Sequence, residues 1–143
     1  MTVAITIEQP GESDIDVIHG VLTTTYWSPG IPRETVARAC SNSLCVTARE
    51  ESRLIGFARL VTDRATFAWL CDVIVLPAHQ GKGIARDLVR TLREHPELAN
   101  LRRWLLGTKD AHGVYAPLGF EPVALPQRMM EIRNPNPYGQ ASS

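Results

Sequence analysis

Residues 76–89, LPAHQGKGIARDLV, set two glycines and two basic residues between a proline and an apolar run. The stretch before them, ATFAWLCDVIVL at 65–76, is almost continuously apolar until Pro77 ends it. An unbroken apolar run of this kind is typical of a central strand that is covered on both faces. From Ile84 to Leu92 the apolar residues recur at spacings of one, three and four, which predicts an amphipathic helix. The two glycines therefore join a buried strand to the start of a helix.

This turn, QGKGIA at residues 80–85, has the placement that an anion-binding turn requires. A helix N-terminus carries unpaired N–H groups and a partial positive charge, and glycines let a phosphate approach them. The pattern GxxxxGK[ST] is absent because Gly83 follows Lys82, and GxGxxG fails because Arg86 replaces its third glycine. The turn thus predicts a phosphate site of another type, with a glycine-rich helix start that binds no ligand as the alternative.

The rest of the chain predicts a mixed α/β fold in the order β-α-α-β-β-β-α-β-α-β-β. The last two strands are expected near EPVAL, residues 121–125, and RMMEIR, residues 128–133. Three consecutive hairpin-like strands followed by strand-helix-strand units indicate a central mixed, mostly antiparallel twisted sheet. We expect about six to seven strands with helices on both faces. We also expect a single domain over residues 1–133 and a flexible tail over residues 134–143.

The amino-acid composition argues against several classes of protein function. The 143 residues contain 44% apolar residues and balance 15 acidic against 15 basic side chains, so we expect a soluble domain that binds no nucleic acid. No apolar run is long enough to span a membrane, and the first residues lack a basic region followed by a long apolar one, so we expect no secretion signal. Three cysteines without a CxxC pair favour a reducing, cytoplasmic location, and the absence of HExxH predicts no metal.

Three stretches together resemble the GNAT superfamily of N-acetyltransferases. QGKGIA is similar to its [Q/R]-x-x-G-x-[G/A] signature, and VIVLPAHQGKG at 73–83 resembles the strand and turn that carry it. VYAPLGF at 114–120 resembles the family's Tyr-x-x-x-Gly-Phe segment. Gln80 stands where arginine is commoner and Ala85 where glycine is commoner, and the pattern permits both. The resemblance implies the acyl-CoA N-acyltransferase fold, with acetyl-CoA as co-substrate.

The family resemblance also implies where the cofactor binds. The turn amides would hold the pyrophosphate of acetyl-CoA, and backbone groups of the central strand would bond the pantetheine arm. Lys82 and Arg86 would either reach the phosphates or remain solvated, and Asp110 stands where the family often has asparagine. Asp110 is also a predicted N-cap of the short helix that follows it. The implied cofactor-binding residues are Val73, Ile74, Val75, Gln80, Gly81, Lys82, Gly83, Ile84, Ala85, Arg86 and Asp110.

The implied reaction transfers the acetyl group to a primary amine by direct attack in a ternary complex. Tyr115 matches the tyrosine that protonates the leaving thiolate in the family, with a core packing role as the alternative. Asp72 is a candidate general base, because a carboxylate within an apolar strand is costly unless it is paired or functional. Water and His112 are the other candidate bases, and an ion pair with Arg59 is the structural alternative for Asp72.

The acceptor amine is expected near the loop TTTYWSPGIP, residues 23–32. Tyr26 and Trp27 are its candidate binding residues, and with Asp63, Asp72 or Asp110 nearby they would suit a cationic amine. A small-molecule or peptide amine is the expected substrate, and the family's dimers suggest a homodimer. The rival function is a non-catalytic module that binds acyl-CoA or regulates a partner.

Overall fold

The computed structural model describes residues 2–139, which are built around one five-stranded sheet. The strands lie across the sheet in the same order as in the sequence. The first four pair antiparallel, and the fifth runs parallel to the fourth, which confirms the predicted mixed, mostly antiparallel sheet. The strands are β1 (Val3–Ile7), β2 (Leu44–Glu50), β3 (Arg53–Thr62), β4 (Phe67–Val75) and β5 (Arg103–Leu106).

Helices cover both faces of this sheet, as the sequence predicts. They are α1 (Glu12–Leu22), α2 (Arg33–Ser41), α3 (Ile84–Arg93) and α4 (His112–Tyr115). Consecutive residues of a strand point to opposite faces, so β3 contributes Phe57 to the α1–α2 cluster and Ala58 to the α3 cluster. Within residues 2–139, no helix combines the length and the apolar character that crossing a membrane requires.

The start of α3 lies unusually close to the sheet. A Cβ atom added at Gly56 of β3 would lie 3.2 Å from the Ile84 side chain and 3.3 Å from the Ile74 carbonyl. Contacts that short would force the neighbouring atoms to shift by a few tenths of an ångström, so Gly56 lets α3 begin directly against the strands. The glycine turn is thereby fixed beside the end of β4.

The sheet ends at β5 in the described part of the chain, so the prediction of six to seven strands is wrong in number. Residues 121–125 form no strand, and the 128–133 segment forms none either, because a 3₁₀ turn, Pro126–Arg128, follows the first segment and includes the first residue of the second. Pro122 and Pro126 lack the N–H group that a strand ladder needs, which explains part of this difference. The last residues of the predicted tail, 140–143, lie outside the described residues.

β4 becomes irregular where it leaves β5. Ala58 faces two residues of β4, Asp72 and Val73, and Asp72 has a φ of 52°. This is a β-bulge, which bends the strand and leaves one residue without a ladder partner. The last pair between β4 and β5 is Leu70 with Leu106, so the rest of β4 continues without β5 beside it. The two parallel strands therefore diverge and open a cleft between them.

Candidate active site

A cavity of about 380 Å³ opens at this divergence, and we call it the reaction cavity. It brings together residues that are far apart in the sequence and that come from β4, from α4 and from the loop between α1 and α2. Both predicted catalytic residues and both predicted acceptor-binding residues line it. The predicted residues in its wall are Tyr26, Trp27, Asp72, Val73, Asp110 and Tyr115.

Tyr115 is half-buried at the end of α4. Burial raises the pKa of its hydroxyl above the ordinary value, and the neighbouring Tyr26 raises it further. The ring packs edge-to-face against Phe120, with a centroid distance of 6.0 Å. A phenol in this environment keeps its proton at neutral pH and can donate it to a stronger base that forms in the cavity.

Asp72 uses both carboxylate oxygens on neighbouring side chains. One oxygen accepts a hydrogen bond from Arg59 Nε at 2.8 Å, and the other accepts one from Trp27 Nε1 at 3.0 Å. Burial alone would lower the pKa of Arg59, but Cys71 and Asp72 outweigh it and raise that pKa. The ion pair with Arg59, the alternative left open by the sequence, is therefore present, and the carboxylate also holds the Trp27 indole at the cavity wall.

Tyr26 and Trp27 contact each other edge-to-face at 5.0 Å. The Tyr26 hydroxyl accepts a hydrogen bond from the Lys109 backbone N–H at 3.3 Å, and the Lys109 ammonium lies 5.5 Å from the centre of the Tyr26 ring. Asp63, expected near the acceptor, instead accepts backbone hydrogen bonds from its own turn, including one from Thr66 N–H at 2.7 Å. The aromatic pair is thus at the cavity, whereas Asp63 is not.

A second cavity, of about 280 Å³, lies at the N-terminus of α3, and we call it the turn cavity. Gly81 and Gly83 lie in its wall with φ values of 79° and 80°, a conformation that favours glycine. The Gln80 side-chain amide donates to the Val75 carbonyl at 3.0 Å and ties the turn to β4. The other predicted cofactor-binding residues in this wall are Val75, Gln80, Ile84, Ala85 and Arg86.

The remaining predicted residues lie outside the turn cavity. Lys82 is exposed and does not line the turn cavity, and Ile74 is buried in the α1–α2 cluster. Asp110 lines the reaction cavity, but the N-cap of α4 is Ala111, so its predicted capping role is wrong. His112 lies outside the reaction cavity and lines a neighbouring one.

The structure adds two residues that the sequence reasoning missed. Trp69 lines the reaction cavity, and its place on the face of β4 that carries Cys71 was readable from the alternation of the strand. His79 lines the turn cavity, and its Nε2 lies 3.3 Å from Glu50 Oε1 while its buried Nδ1 has no hydrogen-bond partner among the described residues. No signal in the sequence pairs it with Glu50. Among residues 2–139, no group of three or more His, Cys, Asp or Glu side chains is arranged to hold a metal ion.

The two cavities flank the free end of β4. Val73 lines the reaction cavity and Val75 lines the turn cavity, so the bulged strand edge runs from one to the other. A long ligand whose anionic group is held at the helix N-terminus could therefore lie along β4 and present its far end to Tyr115.

The sequence matches the family model of the acetyltransferase (GNAT) family over residues 16–120. The histone acetyltransferase TAP1 of Glycine max is 31% identical over 127 residues, covering 78% of this chain and 53% of that protein. The GCN5-related N-acetyltransferase 2 of Arabidopsis thaliana is 28% identical over 135 residues, covering 78% of this chain and 51% of that protein. The chain thus spans about half the length of these two relatives.

Solved structures agree with the family model. A Xanthomonas campestris protein belonging to the GNAT family superposes with a TM-score of 0.90 and 41% identity, over 98% of this chain and 99% of that one. A Clostridium acetobutylicum protein crystallised with acetyl-CoA shares the fold, with a TM-score of 0.66 and 16% identity over 91% of this chain and 96% of that one. This chain belongs to the GNAT family of acetyltransferases.

Proposed function

We propose that the protein transfers the acetyl group of acetyl-CoA to a primary amine of a small molecule or peptide. The observation that carries this proposal is the divergence of β4 from β5, which leaves a strand edge between the turn cavity and the reaction cavity. That edge has the glycine turn and the N-terminus of α3 at one end and Tyr115 at the other. Such an arrangement suits a cofactor with a pyrophosphate and a long arm that ends in a thioester.

The donor would bind along this edge. Its pyrophosphate would accept hydrogen bonds from the amides of the glycine turn, where Arg86 lines the wall and the α3 dipole favours an anion. The pantetheine amides would pair with backbone groups of Val73, Ile74 and Val75, because the bulge and the missing β5 neighbour free that part of the ladder. The thioester would then lie in the reaction cavity.

The reaction would proceed by direct attack. The neutral amine attacks the thioester carbonyl carbon, a C–N bond forms, and a backbone N–H near the bulge stabilises the oxyanion. The C–S bond then breaks, and the leaving thiolate takes the Tyr115 hydroxyl proton. The attacking nitrogen loses one proton, and the phenolate that remains is reprotonated from solvent. Protons, charges and bonds balance without a metal.

Water is the base that we favour for the amine proton. Both Asp72 oxygens accept from Arg59 and Trp27, and His112 lies outside the reaction cavity. Asp72 would then act as a positioning residue that orients the Trp27 indole. Direct base catalysis by Asp72 is the alternative, and the pH profile of Asp72→Asn would reveal it. Trp27, Tyr26 and Trp69 would contact the apolar body of the acceptor.

A turnover screen tests the proposal. Acetyl-CoA is incubated with small amines, amino acids, polyamines, aminoglycosides and lysine peptides, including histone peptides, and the release of CoA thiol is measured. Release that depends on one class of amine identifies the acceptor. Tight binding of acetyl-CoA without amine-dependent thiol release would contradict the enzyme proposal and favour a non-catalytic acyl-CoA-binding module.

A further inference from the structure

Three aromatic side chains in the wall of the reaction cavity are left exposed to solvent. Tyr26, Trp27 and Trp69 are 59%, 45% and 37% exposed, and none of them packs in either core cluster. Large exposed aromatic rings that are grouped around one cavity mark a surface that a ligand covers. The cavity therefore offers ring surface that the fold itself does not use.

Contacts with the rest of the fold hold these three rings in place. Trp27 Nε1 donates a hydrogen bond to Asp72 Oδ1 at 3.0 Å, and the Tyr26 hydroxyl accepts one from a backbone N–H at 3.3 Å. A Cβ atom added at Gly107 would lie 3.7 Å from Trp69 Cη2, so the far end of this indole lies against the residue that follows β5. Rings that are already fixed lose little side-chain entropy when a flat ligand packs on them.

The ionisable groups around the cavity leave little negative charge for a polycation. The Asp72 side chain is only 9% exposed and pairs with Arg59 at 2.8 Å. Burial raises the pKa of the Cys71 thiol to about 11, so this residue of the wall is neutral at pH 7. The Lys109 ammonium lies over the Tyr26 ring, 5.5 Å from its centre, and so occupies a face on which a substrate cation could otherwise stack.

The other carboxylate of the cavity wall is Asp110. It is exposed, and within residues 2–139 it forms no ion pair. A single exposed carboxylate attracts one ammonium group, whereas polyamines and aminoglycosides carry several. Inside the cavity the aromatic wall disfavours the charged form of an amine and favours the neutral form that attacks the thioester. The charges therefore suit an acceptor with one amino group.

We propose that the acceptor is an arylalkylamine, a small monoamine whose aromatic ring packs against Trp27 and Trp69 while its amino group reaches the thioester beside Tyr115. This inference rests on the proposed function and narrows its acceptor from any primary amine to one class. The amine nitrogen forms a C–N bond with the acetyl carbon as the C–S bond breaks, and the thiol gains one hydrogen for the one that the amine loses. The cavity volume of about 380 Å³ lies in the range of small-molecule pockets.

A series of amines tests the substrate class through thiol release from acetyl-CoA. We expect kcat/KM for tryptamine and 2-phenylethylamine to exceed that for spermidine, kanamycin and a lysine peptide by about tenfold or more, because each further charged group would enter without a partner. 2-Cyclohexylethylamine, which has the same chain but no π-system, should be roughly 2- to 10-fold poorer than 2-phenylethylamine. Spermidine or kanamycin as the best acceptor would refute the inference and leave the acetyltransferase proposal standing, whereas no thiol release with any amine would overturn both.

Substitutions at Trp69 test whether its ring contacts the acceptor. Trp69→Leu keeps an apolar side chain but removes the ring, and we expect the KM for 2-phenylethylamine to rise roughly 3- to 10-fold at nearly constant kcat. Trp69→Phe should restore most of the loss, and the KM for acetyl-CoA should not change in either variant. Phe67→Leu is the matched control, since Phe67 is also 37% exposed on the same face of β4 but lies outside the reaction cavity. No rise in Trp69→Leu, or an equal rise in Phe67→Leu, would refute the contact and the inference with it.

Discussion

Tyr115 carries the most direct prediction at the scale of single residues. Removing its hydroxyl in Tyr115→Phe takes away the acid but keeps the ring that packs on Phe120. We expect kcat to fall by roughly 10²- to 10⁴-fold, the usual contribution of a positioned acid, with little change in the KM for acetyl-CoA. Steady-state kinetics on the acceptor found in the turnover screen measure this effect.

The raised pKa of Tyr115 also predicts how kcat depends on pH. Because burial raises the pKa of Tyr115, the acid stays protonated through neutral pH and is lost only above about pH 10, the ordinary value for tyrosine. The wild-type kcat should therefore show an alkaline descending limb above that pH, and Tyr115→Phe should lack it. An identical descending limb in both proteins would assign the limb to another group.

A substitution at Asp72 distinguishes a positioning role of this residue from a catalytic role. Asp72→Asn keeps the shape of the side chain but removes the negative charge that pairs with Arg59. We expect a lower melting temperature, because the loss of one partner from a mostly buried ion pair costs on the order of 3–5 kcal/mol when nothing replaces it. If Asp72 only positions Trp27, the ascending limb of kcat/KM against pH is unchanged, and the disappearance of that limb would identify Asp72 as the base.

The residues of the candidate site were predictable from the sequence to different degrees, for physical reasons. Tyr115 and the glycine turn occur in short contiguous motifs whose local geometry sets their position. Asp72 was conspicuous because a carboxylate is rare within an apolar strand, but its partner Trp27 lies 45 residues away. Pairings of that kind depend on how α1 and α2 pack on the sheet, which no local pattern encodes.

At the scale of elements, the turn before α3 depends on glycine. The φ of 80° at Gly83 costs an L-residue about 1–2 kcal/mol, whereas the 2.7 Å approach of an added Cβ to Arg86 Nη2 can be relieved by movement of that flexible side chain. We expect Gly83→Ala to raise the KM for acetyl-CoA roughly 5- to 30-fold, since distortion of the turn displaces the amides that would bind phosphate. The KM for the acceptor should not change.

Gly20 gives the matched control for this substitution. It lies in α1, and an added Cβ meets nothing within 4 Å. Gly20→Ala should stabilise the protein by up to about 1 kcal/mol through helix propensity and leave both KM values unaltered. If Gly83→Ala lowers the melting temperature but leaves the KM for acetyl-CoA untouched, the turn has a structural role only.

Arg49 connects three elements of the fold, and its ion pairs predict that the protein loses stability at acid pH. Arg49 of β2 bonds Glu8 after β1 at 3.0 Å and Asp14 of α1 at 2.7 Å. Hydrogen bonds from Thr47 and Arg49 lower the pKa of Glu8, and the bond from Arg49 lowers the pKa of Asp14. Since both pKa values are lower in the folded state, these carboxylates stabilise the protein above their unfolded pKa, about 4, and the stabilisation is lost as the pH falls.

Arg49→Gln should therefore unfold at a higher pH than the wild type in an acid titration followed by circular dichroism. Its deficit in melting temperature should be largest near neutral pH and should disappear once both carboxyl groups are protonated. A deficit that is independent of pH would assign the role of Arg49 to packing of its side chain instead.

The late strands show where pattern reasoning about elements fails. Residues 130–133 alternate apolar and polar side chains and include the β-branched Ile132, so a strand was a reasonable expectation. A strand needs a neighbour, however, and the chain leaves this segment beside none of its own strands. The central run at 65–76 was predicted correctly as a strand, but its cover on both faces was not, since Phe67 and Trp69 on one face are each 37% exposed.

For the whole molecule, stabilisation of the folded state by a bound ligand tests the identity of the donor. At a concentration a hundredfold above Kd, acetyl-CoA should stabilise the folded chain by about 2.7 kcal/mol. In a domain of this size that corresponds to a rise in melting temperature of about 5–10 °C.

NAD should cause no such rise, because the turn lacks the third glycine of a dinucleotide site. At the same ligand concentration Gly83→Ala should lose roughly a third to two thirds of the rise with acetyl-CoA. Tyr115→Phe should keep the rise, since the hydroxyl acts in the reaction and not in donor binding. A rise with NAD and none with acetyl-CoA would reverse the assignment of the glycine turn.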